Sequence, residues 1–71
     1  MTTTTLRITG MTCDHCVRAV TQALERLDGV ARAEVDLTTG RALVEHHGER
    51  VSPDRLSEAV MEEGYQAEEL A

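Results

Sequence analysis

Hydrophobic positions along this chain switch between two spacings, and the switches divide it into six elements. Leu6 and Ile8 alternate with Arg7 and Thr9, the period of a half-buried strand, after a β-prone but featureless run from Thr2 to Thr5. Gly10 breaks the alternation. From Asp14 the period lengthens. Val17, Val20, Leu24 and Leu27 mark one face of a helix, and Arg18, Gln22, Glu25 and Arg26 cover the other. Gly29 is placed to end that helix with a left-handed cap. Alternation then returns, with Ala31, Ala33, Val35 and Leu37 on one face and Arg32, Glu34 and Asp36 on the other. Thr38, Thr39 and Gly40 predict a turn, and Ala42, Val44 and His46 continue the inward face of a partner strand.

The second helix carries its own start signals. Ser52 is a good N-cap, Pro53 suits the first helical position, and Asp54 favours the positive end of the dipole. Val51 precedes the cap and can staple onto Leu56. Leu56, Ala59 and Val60 form the apolar stripe, Gly64 stops the helix, and residues from Tyr65 to Leu70 predict a last short strand. The order strand, helix, strand, strand, helix, strand predicts an α+β fold. It is the split βαβ, ferredoxin-like sandwich, with two helices on one face of a four-stranded antiparallel sheet. If the first strand runs upward, one edge collects the loop at Cys13–Cys16, the Thr38–Gly40 turn and the Gly64–Tyr65 junction. His46 and His47 fall at the opposite edge.

Composition narrows the chemistry. The 71 residues leave room for one small domain, taken as residues 1–71, with modest stability expected of that size. With no Trp or Phe and one Tyr, aliphatic side chains must build the core. The formal charge of −6 argues against nucleic acid and against an anionic membrane, since both require a basic face. It permits a partner with a basic docking patch. Residues 1–9 lack the basic start and apolar run of a signal peptide, and no stretch reaches the length of a membrane-spanning helix. The chain is therefore expected to be cytoplasmic, where a structural disulfide does not persist and a closely spaced cysteine pair points to metal binding or redox chemistry.

Both cysteines lie in the segment Met11-Thr12-Cys13-Asp14-His15-Cys16, at the predicted strand-to-helix corner. Cys13 falls in the loop and Cys16 in the first helical turn, where free backbone N–H groups and the helix dipole favour thiolate over thiol. Two thiolates are soft ligands suited to Cu(I), whereas Zn²⁺ wants about four ligands that this loop does not supply. Exposed sulfurs also suit passing an ion on by ligand exchange. Nothing resembles a nucleophile–base pair, a phosphate loop or a paired-carboxylate cleft, so no enzymatic activity is expected.

These residues carry a family resemblance. The run Gly10-Met11-Thr12-Cys13-Asp14-His15-Cys16 resembles the Gly-Met-x-Cys-x-x-Cys signature of heavy-metal-associated domains. The match extends through Leu27-Asp28-Gly29-Val30, the hairpin glycine Gly40 and Glu63-Gly64-Tyr65. Within the family the chain looks like a free-standing bacterial copper chaperone of the CopZ type, and His15 and Tyr65 fit that subgroup. The resemblance implies Cu(I) as cargo, Cys13 and Cys16 as ligands, and delivery to the metal-binding domain of a copper-exporting P-type ATPase. Similar domains occur fused to such ATPases, in mercury-resistance proteins and on mercuric reductases. A mercury or other soft-metal buffer therefore stays open, as does a loading domain of a larger transporter or reductase. Met1 at the start and Ala71 directly after the last strand favour a free-standing protein. A thiol–disulfide oxidoreductase is the less favoured class, because the chain is short for a thioredoxin-like fold and Pro53 is placed to start a helix.

Other residues near the predicted edge have structural readings beside chemical ones. Met11 reads as core filler anchoring the loop, with thioether ligation as the alternative. His15 adjoins Cys16 on the helix, and adjacent helical positions point about 100° apart. It is therefore expected to modulate the thiolates from solvent, or to serve as a ligand across a metal-bridged homodimer. Tyr65 either seals the core or acts on the cysteines. Neighbouring strand residues point to opposite faces, so His46 and His47 cannot chelate one ion. The expectation is a half-buried His46 and an exposed His47. Glu62 and Glu63 are candidates for guiding a partner.

Overall fold

The computed structural model describes residues 1–70. The elements are β1 (Thr2–Thr9), α1 (Asp14–Glu25), β2 (Val30–Asp36), β3 (Arg41–His46), α2 (Pro53–Glu62) and β4 (Gln66–Leu70). The strands form one sheet in the order β2-β3-β1-β4, and every neighbouring pair is antiparallel. Helix α1 packs over β2, α2 packs over β4, and the helices touch each other. This is the expected ferredoxin-like arrangement. Among the described residues no helix is long and apolar enough to cross a membrane.

The core lies between the sheet and the helix layer. Leu6 and Ile8 from β1 meet Ala42 and Val44 from β3, Val20 and Leu24 from α1, and Leu56 and Val60 from α2. All of these are aliphatic, as the near absence of aromatic residues requires. Ser52 caps α2 as expected, its hydroxyl accepting from the Arg55 N–H at 3.3 Å, with Pro53 beginning the helix. Val51 is buried in the same cluster as Leu56.

Four local expectations need correction. The threonine run is not featureless. β1 takes it in whole, pairing Thr2 with His46 and Thr4 with Val44, and Thr4 is buried. Helix α1 stops at Glu25, earlier than the apolar spacing suggests. Leu27 still packs on the core, but from the following turn, where its N–H reaches the Leu24 carbonyl. Gly29, at φ +97°, comes after that turn; a Cβ there would lie 2.7 Å from the Cβ of Arg50, so the close approach of two loops also demands glycine. Ala31 does not share the inward face of Ala33 and Val35. The β2–β3 register shifts between Val30 and Arg32, and this bulge leaves Ala31 exposed. Finally, His46 is not half-buried but fully buried. One ring nitrogen lies 2.7 Å from the Thr4 hydroxyl and the other 3.0 Å from the Val51 carbonyl, so burial leaves neither nitrogen without a partner.

The register fixes both edges. Thr9 pairs with Gln66 and Arg7 with Arg41, while the Ile8 N–H donates to the Gly40 carbonyl at 2.6 Å. The Gly10–Cys13 loop, the Thr38–Gly40 turn and the end of α2 thus share one edge. Thr2 and His46 share the other.

Candidate metal centre

The corner between β1 and α1 is built to present sulfur. Gly10 turns the chain out of β1 with φ +107°. Met11, partly buried, packs against the core. Cys13 is the N-cap of α1 with an extended backbone, and its carbonyl accepts the Cys16 N–H at 3.0 Å and the Val17 N–H at 3.3 Å. Its side chain makes no capping hydrogen bond. A cysteine replaces the usual Ser or Asp cap, so the first turn keeps free N–H groups facing the loop.

Cys13 is exposed, Cys16 is half-buried, and their sulfurs lie 3.6 Å apart. That separation far exceeds a covalent S–S length of about 2.05 Å, so the pair is a dithiol. Cys16 is strongly acidified, with its pKa held down to about 6. The largest cause is a backbone hydrogen bond from Thr12, followed by the Tyr65 hydroxyl and the Cys13 side chain. The acidity expected from the helix terminus is therefore present, but specific hydrogen bonds supply most of it. The same contact works in reverse on Tyr65, whose pKa is raised because its hydroxyl is held as a donor to Cys16.

Of the residues singled out from sequence, the structure brings together Cys13, Cys16 and Tyr65. His15 is exposed on α1. Among the described residues no third His, Cys, Asp or Glu converges with the cysteines into a metal-holding group. Glu62 and Glu63 are exposed at the end of α2, and Glu62 lies 3.6 Å from Arg55. His46 and His47 stand at the far edge, as topology requires. Sequence reasoning missed Thr12. Its backbone is the largest cause of the lowered Cys16 pKa, and its hydroxyl lies 4.0 Å from that sulfur. The available signal was its position next to the cap, where a residue faces the first helical turn.

Two cysteine sulfurs with no third His, Cys, Asp or Glu converging among the described residues suit a soft ion of low coordination number, approached from the exposed Cys13 side. The heavy-metal-associated domain matches residues 5–66. A copper chaperone CopZ from Staphylococcus saprophyticus is 40% identical over 65 residues, spanning 92% of this chain and 96% of the relative. A copper binding domain from HMA7, a P-type ATPase, superposes with a TM-score of 0.98 at 35% identity, over 100% of this chain and 96% of that one. Oxidized MerP from Ralstonia metallidurans superposes with a TM-score of 0.94 at 30% identity, over 99% of this chain and 97% of its own.

Proposed function

Since the chain belongs to the heavy-metal-associated domain family, we propose that it is a cytoplasmic copper chaperone. It takes Cu(I) on Cys13 and Cys16 and hands it to the metal-binding domain of a copper-exporting P-type ATPase. The observation that carries this reading is the sulfur pair itself: 3.6 Å apart, at an exposed corner, with no third ligand converging among the described residues. Such a site satisfies Cu(I) and leaves Zn²⁺ about two ligands short. The similarity to a copper chaperone CopZ and to a copper binding domain of a P-type ATPase supports the same cargo and the same class of partner.

The chemistry is ligand exchange without change of oxidation state. Cys16 is largely thiolate at neutral pH, so loading need not first remove its proton. A thiolate of the partner approaches the exposed Cys13 side and joins the ion as a third sulfur. One sulfur of this chain then leaves, and the second follows as the partner's other thiolate closes. Each thiolate gained is matched by one released.

Native mass spectrometry after anaerobic titration with Cu(I), Zn²⁺ and Hg²⁺ tests the cargo and reports any metal-bridged homodimer. One Cu(I) held tightly against a competing chelator, with Zn²⁺ much weaker, is expected. The variant combining Cys13→Ser and Cys16→Ser should lose tight binding; retention of wild-type affinity by it refutes the site. Tight Hg²⁺ with weak Cu(I) would replace the copper reading by the mercury one. Stopped-flow transfer to an isolated ATPase metal-binding domain tests delivery, and absence of transfer leaves a metal buffer.

A further inference from the structure

The sheet ends in two edge strands, β2 and β4. An edge strand offers unpaired backbone N–H and C=O groups to any strand laid beside it. β4 carries Glu68 and Glu69 and no cation, so a second copy along it would set like charges together. β2 differs in three ways. The Ala33 N–H points to the open side and donates to Oε2 of Glu25, on α1, at 3.4 Å. Ala33 faces the core, so its neighbours Arg32 and Glu34 share the outer face of the sheet, where they are exposed and ion-paired with each other. Beside the strand runs an open cleft of about 830 Å³, lined in part by Val17, Glu34, Val35, Asp36 and Leu37.

We propose that the β2 edge is a pairing surface for a second copy of this chain, and that Glu25 holds it closed. Self-complementarity selects the occupant. Two antiparallel copies of β2, related by a two-fold axis at Ala33, place Arg32 of each opposite Glu34 of the other. The two Ala33 residues then exchange the N–H and C=O groups that face the open side, and Ala31 comes alongside Val35. Ala31 is turned out by the bulge and Val35 is half-buried, so this second contact covers apolar surface. Two Arg32–Glu34 pairs within copies are matched by two between copies, so no charge loses its partner. Glu25 stands in the way, because its carboxylate occupies the Ala33 N–H that the second strand needs. The copies run antiparallel, so their cysteine loops lie at opposite ends and stay open. Such pairing needs no metal and no cysteine.

Sedimentation equilibrium of the reduced, metal-free protein over a concentration series tests this on wild type, Glu25→Ala and Glu25→Gln. Glu25 is exposed on α1, so both variants should fold, which circular dichroism checks. Both remove the same charge, but glutamine keeps an oxygen that accepts the Ala33 N–H. Glu25→Ala should dimerise about tenfold or more tightly than wild type, because two copies no longer each break a bond in order to pair. Glu25→Gln should stay close to wild type. Adding Arg32→Glu to Glu25→Ala should weaken the dimer by about tenfold or more, and adding Glu34→Arg as well should restore it. Isotope-filtered NMR on mixed labelled and unlabelled Glu25→Ala should show contacts between Arg32 of one copy and Glu34 of the other. A Glu25→Ala protein that stays monomeric, or one that dimerises no better than Glu25→Gln, overturns the proposal. So does association that is indifferent to Arg32→Glu, or that appears only when Cu(I) is added, which places the contact at the cysteine loop.

Discussion

Replacing Thr4 by Val isolates a single buried hydrogen bond at the edge opposite the cysteines. His46 is 0% exposed and Thr4 6% exposed. The Val51 carbonyl only accepts, so the Nδ1 of His46, 3.0 Å away, is the donor in that bond. In the neutral ring Nε2 then has no hydrogen and accepts from the Thr4 hydroxyl at 2.7 Å. Valine matches threonine in shape and in strand preference, so Thr4→Val leaves Nε2 in the core with no donor. The expected cost is about 1–3 kcal/mol. At about 4–8 °C per kcal/mol for a domain of this size, Tm should fall by about 4–24 °C. Thr3→Val, on the exposed neighbour, should cost almost nothing. In a His46→Leu background, Thr4→Val should also cost little, because no nitrogen remains to be orphaned. Thermal and urea denaturation of the reduced proteins, followed by circular dichroism, measures all four. Cu(I) affinity should be unchanged throughout. A Thr4→Val protein as stable as wild type, or equal costs with and without His46, would refute the assignment.

Leu56 is fully buried, and Leu56→Ala should cost about 2–5 kcal/mol, a large share of the roughly 4–11 kcal/mol expected for this chain length; urea denaturation checks it. Tyr65→Phe removes one of the bonds that hold the Cys16 pKa near 6, so the midpoint of thiolate absorbance against pH should rise, and an unmoved midpoint would show that the hydroxyl does not act on this sulfur. Because the folded pKa lies below the free-thiol value of about 8.5, the Cys16 contribution to stability is present in full above that value and is lost as pH falls through about 6. Cys16→Ser should therefore flatten the rise in metal-free stability across that window. Charge reversal at Glu62 and Glu63 should slow Cu(I) transfer to an ATPase domain at low salt while leaving the affinity of the free protein unchanged, with the difference shrinking once charges are screened beyond about 8 Å; equal rates at low salt exclude docking through these glutamates.

The sequence by itself determined the order of elements, the fold class and the position of the sulfur pair. These rest on local physics: a period of two against a period of three to four, the cap at Ser52 and Pro53, and glycines at the turns. Right-handed crossover and antiparallel pairing then left one way to gather Cys13, Gly40 and Tyr65 at one edge. Tertiary structure decided what local pattern cannot carry. Thr2 to Thr5 have no hydrophobic alternation, yet Thr4 enters the core because β3 places His46 beside it and the two satisfy each other. Ala31 reads as inward until the bulge against β3 turns it out. The acidity of Cys16 is legible in sign from its helix terminus. Its main sources are the Thr12 backbone and the Tyr65 hydroxyl, and Tyr65 is brought to Cys16 from 49 positions away in sequence by the pairing of β4 with β1. Spacing along the chain reports which face a residue takes within its own element. Which partner waits on that face is set by register between elements, and that is where the site acquires its hydrogen bonds.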